Sequence, residues 1–151
     1  MAFQQVKDII SDTCREHQMI AEYYEEMQEF VEEGKVRSLL ERLYQHEEEI
    51  IQGIRSYLKD KNNPTLKTWF QYIPDMPKAS ELIKVDLQET TTPSEVLELN
   101  SEITECFIYR YTKLSNISPS TAVHDLFYQM VCMEKNEGHR DGWYEVMQHD
   151  M

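Results

Sequence analysis

The sequence predicts an all-α protein, an antiparallel bundle of four long helices with one long crossover between the second and third. Three observations predict it. Only 4 Gly and 5 Pro punctuate 151 residues, which is too little turn chemistry for a set of short strands. Apolar residues recur in steps of three and four over long runs, the spacing that lines one face of a helix. Two connections are tight, while the one between them occupies residues 61–91. A single hydrophobic core typically serves about 100 to 200 residues, so residues 1–151 are expected to form one domain.

The first helix is expected over about residues 3–33, where Val6, Ile10, Ile20, Tyr24, Met27 and Val31 form a stripe whose gaps hold Thr13 and His17. Gly34 interrupts it and is read as a left-handed C-terminal residue. A second stripe, Leu40, Leu43, Glu47, Ile50, Ile54 and Tyr57, predicts a helix over 36–59. The short connection makes the pair a hairpin. Asp60-Lys-Asn-Asn-Pro64 closes the second helix, and Pro64, Pro74 and Pro77 keep the crossover irregular. Its segment from Leu66 to Ile73, including Trp69, Phe70 and Tyr72, is too apolar for a free linker and is expected to lie buried against the helices, with a short helical turn nearby.

Thr92-Pro93-Ser94-Glu95 carries a capping box with Pro at the first helical position. It starts a third helix, 93–115, with Val96, Asn100, Ile103, Phe107 and Leu114 in line. Ser118-Pro119 repeats the signal for a fourth helix over 119–148, with Val123, Phe127, Met130, Glu134, Glu137, Asp141 and Tyr144 on one stripe.

Fifteen Lys and Arg against 28 Asp and Glu give a net charge of -13. That field repels phosphate backbones and anionic lipid headgroups, so neither nucleic acid nor a membrane is an expected partner. Cys14, Cys106 and Cys132 are an odd number without a C-x-x-C pair, and the N-terminal residues lack a secretion signal; a cytoplasmic location is expected. The cysteines are read as structural thiols. There is no Gly-rich phosphate loop and no G-x-S-x-G.

The informative residues are polar ones inside the apolar stripes. His17, Glu47, Glu134 and Glu137 all fall near the midpoints of their helices, which lie at one level in an antiparallel bundle. Burying three carboxylates is costly unless something compensates them. Two arrangements do so. A metal ion accepts imidazole and carboxylate ligands, and Fe, Mn or Zn would suit His17, Glu47, Glu134 and Glu137. Alternatively His17 pairs with Glu47, and the fourth-helix carboxylates are hydrogen-bonded to Tyr24, water or one another. Either way His17 and Glu47 are expected to be neighbours, being similarly distant from Gly34. His46 is read as a boundary residue, His124 as a capping or packing residue, and His139 and His149 as solvated.

Helix order, crossover and mid-helix acids together resemble the ferritin-like superfamily, which includes rubrerythrins and related di-iron carboxylate proteins. The resemblance implies a ferritin-like four-helix bundle and, in its usual form, a metal centre built from one Glu on each of two helices and Glu-x-x-His on the other two. Glu47 and Glu134 match that pattern. The second helix reads Glu47-Glu-Glu-Ile50 and the fourth Glu134-Lys-Asn-Glu137, so Ile and Glu stand where the pattern has His. The third helix offers no inward carboxylate. A weaker similarity, to hemerythrin-like bundles, rests on His46 but meets Ile50 four residues later.

Two functions are therefore expected: a ferritin-like binding or assembly module without a standard di-iron centre, or a metal-carboxylate protein handling iron or an oxidant. Should Trp69, Phe70, Tyr72 and Trp143 be exposed, their aromatic surface would suit a homodimer contact.

Overall fold

In the computed structural model, residues 3–84 and 91–149 are described, with side chains over 3–83 and 91–135. Four helices dominate: α1 (Val6–Phe30), α2 (Gly34–Leu58), α3 (Pro93–Asn116) and α4 (Thr121–His149). The helices α1 and α2 pack as one hairpin and α3 and α4 as another. Both contribute to one core, in which Ile10, Ile20, Tyr24, Leu40, Leu43, Phe107, Tyr111 and Phe127 are fully buried. Among the described residues no helix is long and apolar enough to cross a membrane.

Helix ends differ from expectation in informative ways. Gly34 does not terminate α1 in a left-handed conformation; no described residue has positive φ. Instead α1 ends at Phe30, Val31 turns away in an extended and buried position, and the Glu33 carboxylate accepts from the Lys35 and Val36 amides at 3.0 and 2.8 Å. Glu33 therefore caps α2 and satisfies amides that a helix start leaves orphaned, so Gly34 becomes simply its first residue. The Arg37 Nε–H donates to the Val31 carbonyl at 2.6 Å and holds the turn.

The Thr92 capping box forms as its sequence indicates: the Glu95 amide donates to Thr92 Oγ1 and the Thr92 amide to Glu95 Oε1. Ser118-Pro119 does not open α4. Ser118 donates back to the Leu114 carbonyl, whereas the Ser120 hydroxyl accepts from the Val123 amide, so the cap lies two residues later than expected.

The crossover contains a 3-10 segment, Ala79–Lys84, and a short strand β2 (Trp69–Phe70) that pairs antiparallel with β1 (Gln4–Gln5) ahead of α1. The Val6 amide donates to the Thr68 carbonyl at 2.9 Å and the Lys7 amide to the Leu66 carbonyl at 3.0 Å. Crossover backbone thus supplies acceptors to the first turn of α1, which has no intrahelical ones.

This pairing also corrects the expectation of a wholly buried 66–73 segment. Extended backbone sends successive side chains to opposite sides. Within β2, Phe70 is accordingly buried and Trp69 is 53% exposed, while Tyr72, beyond the strand, is 55% exposed. A loss of about 3 kcal/mol on truncation, the size for a buried aromatic, therefore belongs to Phe70 rather than Trp69.

Candidate functional site

Three of the four candidate residues meet at the bundle centre. His17, from the middle of α1, is completely buried, and Glu47 of α2 and Glu134 of α4 are nearly so. His17 Nδ1 lies 2.5 Å from Glu47 Oε2. On the other side of the ring, Nε2 faces Glu134 Oε1 at 3.3 Å and the Tyr111 hydroxyl at 3.4 Å. The imidazole stacks on Phe107 of α3, with ring centroids 4.1 Å apart and planes inclined by 11°. The side chain of Glu137 lies outside the described residues, as do those of His139, Trp143 and His149.

The electrostatics follow from this geometry. Burial disfavours the imidazolium, but Glu47 and Glu134 outweigh it and raise the His17 pKa from 6.5 to about 10. At neutral pH His17 is therefore a cation set between two carboxylates. Tyr111 is pushed well above the ordinary phenol range by burial first and the Glu134 charge second, so it remains a neutral hydroxyl. Tyr24 donates to Asn100 Oδ1 at 3.1 Å. That contact joins α1 to α3.

A second buried ion pair had no signature in the stripes. Glu16 and Arg110 are both buried; one contact is Arg110 Nη1 to Glu16 Oε2, and Nη2 reaches Oε1 at 3.0 Å. Arg110 Nη2 also donates to the Pro77 carbonyl at 3.1 Å, and the Ser80 amide donates to Glu16 Oε1 at 3.4 Å. Four hydrogen bonds thus connect α1, α3 and the crossover at one point.

The remaining candidates have local roles. His46 is buried, and His124 Nδ1 lies 2.8 Å from the Ser115 hydroxyl, joining the end of α3 to the start of α4. Cys14 is buried, Cys106 half-buried and Cys132 exposed, and all three are free thiols. Burial raises the Cys106 pKa, opposite to the change that would activate it as a nucleophile.

The whole architecture matches a crystal structure from Thermotoga maritima described as that of a ferritin-like diiron-carboxylate protein, with a TM-score of 0.61 over 100% of this chain and 99% of that one, at 16% identity. The fold is ferritin-like. No protein-family model and no curated protein sequence matches the chain.

Among the described residues of this ferritin-like bundle, the donor set around His17 differs from that of a di-iron centre. The two nitrogens of an imidazole point in opposite directions, so Glu47 and Glu134, facing one each, stand on opposite sides of the ring. No single ion can touch both carboxylates and the ring nitrogen between them. Among the described residues, no three His, Cys, Asp or Glu side chains are grouped to hold one ion. From α3, Phe107 covers the face of the ring and the Tyr111 hydroxyl lies 3.4 Å from Nε2. A bridged pair of metals does not fit the described residues of this group.

Tyr111 escaped the sequence reading although the signal was present: it extends the Phe107 stripe by one turn and sits one step before Leu114. Glu16 and Arg110 gave no comparable signal, because each stands beside a stripe and finds its partner 94 residues away.

Proposed function

We propose that this protein is a ferritin-like binding or assembly module that works without a di-iron centre. The observation that carries the reading is the placement of His17 between Glu47 and Glu134. A side-chain cation occupies the position from which it compensates both acids, doing internally what a metal does in di-iron bundles. The four helices then need no ion to close. Half-exposed Trp69 and Tyr72, with Phe3 at 73% exposure, supply an apolar surface for assembly, and a second copy of the chain is the partner we assign to it. The acidic surface disfavours nucleic acid and membranes. Three free thiols suit a reducing, cytoplasmic location.

One observation favours a second reading. A separation of 3.3 Å between His17 Nε2 and Glu134 Oε1 is also the span of two ligands on one tetrahedral ion, each bonded at about 2.0 to 2.1 Å. Glu47 would then orient the ring through Nδ1. Fe, Mn or Zn would be the ion, and the protein a metal-carboxylate one. Untagged protein purified without chelator and analysed by plasma mass spectrometry separates the readings. The module reading expects well under a tenth of an equivalent of any transition metal; one equivalent that disappears in Glu134→Gln would overturn it. Sedimentation of wild type and Trp69→Ser tests assembly, which requires a dimer weakened by the substitution.

A further inference from the structure

We infer that an apolar groove between α2 and α4, floored by α1, is a binding site for a small uncharged hydrophobic molecule. The groove is open to solvent, offers about 290 Å³ and lies against Ile10, Ile54, Tyr57, Leu126, Met130 and Met133, with Gly53 and the Gln129 amide at its sides. No described residue of the lining is charged. The volume is at the small end of ligand sites, which run from about 300 to 1,000 Å³. Thioether side chains line two positions, and their flexibility suits a ligand of variable outline.

Gly53 supplies the independent observation. It stands inside α2, where glycine is among the least favourable residues. Close packing is the usual reason for such a glycine, but here a Cβ would meet nothing within 4 Å. No turn explains it either, since no described glycine has positive φ. What its missing side chain leaves is open volume in the wall of the groove. The occupant's charge follows from the surroundings: an apolar lining offers no counter-ion, and a chain of net charge -13 repels anions. The ligand class is therefore a neutral alkyl or aromatic molecule. Met130 lies one turn before Glu134, so the groove approaches the central charged group without containing it.

This goes beyond the proposed function by giving the binding module a ligand class, and the two are measured separately, metal content for one and ligand uptake for the other. The test uses the full chain and the neutral fluorophore N-phenyl-1-naphthylamine. Saturable binding near one equivalent is expected, displaced by decanol at least tenfold more effectively than by decanoate at pH 8. Gly53→Leu should weaken binding at least tenfold with unchanged helicity and an equal or higher Tm, while Gly53→Ala should bind nearly as wild type. Fluorophore affinity unchanged in folded Gly53→Leu would overturn the site, and equal displacement by decanoate would overturn the ligand class. Absence of binding, with a dimer that Gly53→Leu disrupts, would give the groove to a second copy and also overturn the inference.

Discussion

Replacing Glu47 with Gln removes one of the two carboxylates on His17 while keeping the shape of the side chain, and its consequence should depend on pH. With a pKa of 6.5 in the unfolded chain and about 10 in the folded one, His17 binds its proton more tightly in the native state. The resulting stabilisation is fully present below pH 6.5 and is lost as pH rises through about 10. At about 1.4 kcal/mol per tenfold change in proton affinity, it amounts to about 5 kcal/mol. Breaking a buried pair by deleting one partner costs about 3 to 5 kcal/mol, so Glu47→Gln should lose that much at pH 6 and bring the His17 midpoint down by about 2 to 4 pH units. Near pH 10.5 the wild-type ring is largely neutral and faces two buried carboxylates; removing one charge there should be nearly neutral or stabilising. Urea denaturation of chelator-treated protein from pH 6 to 10.5, with an NMR titration of the imidazole, measures both effects. Equal destabilisation at the two ends of the range, or an unchanged His17 midpoint, would refute the reasoning.

The second ion pair should behave as a unit: Arg110→Met, which leaves Glu16 buried without its partner, should cost about 3 to 5 kcal/mol, whereas Arg110→Met with Glu16→Leu should recover most of that loss in denaturant titrations. On β2, Phe70→Ala should cost about 3 to 5 kcal/mol and Trp69→Ala less than about 1, because only Phe70 enters the core; comparable losses in thermal unfolding would contradict the strand geometry. Thr92→Ala should cost about 1 kcal/mol through loss of the α3 cap, read from the urea midpoint at constant m-value.

Much of the helical frame was legible because its signals are local. The Thr92-Pro93-Ser94-Glu95 box is a four-residue pattern, and a stripe interrupted by His17 or Glu47 remains a stripe. The contact between those two residues could be read because a short hairpin converts distance from the turn into axial level. Gly34 was misread for a physical reason: the neighbouring Glu33 side chain provides the cap, so a left-handed residue is unnecessary. Trp69 departs from the expected burial because a two-residue strand sends it and Phe70 to opposite sides, which aromatic composition alone does not reveal. The Glu16 to Arg110 pair had no periodic signature at all, since its specificity resides in the approach of elements far apart in the chain. Legibility of the candidate site stopped at its ligand geometry: spacing places acids at one level but says nothing of which side of an imidazole each will face.

Arg110 also bears on the order in which the molecule assembles. Each hairpin joins neighbours in sequence and can form early, because little loop entropy is lost in closing it. Arg110 reaches Glu16 across 94 residues and the Pro77 carbonyl across 33, so its bonds are complete only when both hairpins and the crossover are in native register. A mispaired bundle leaves a guanidinium without its carboxylate in a poorly hydrated place. Compact alternatives that bury the same apolar stripes but part Arg110 from Glu16 carry the cost of an unpaired buried charge, which favours the correct docking of the two halves.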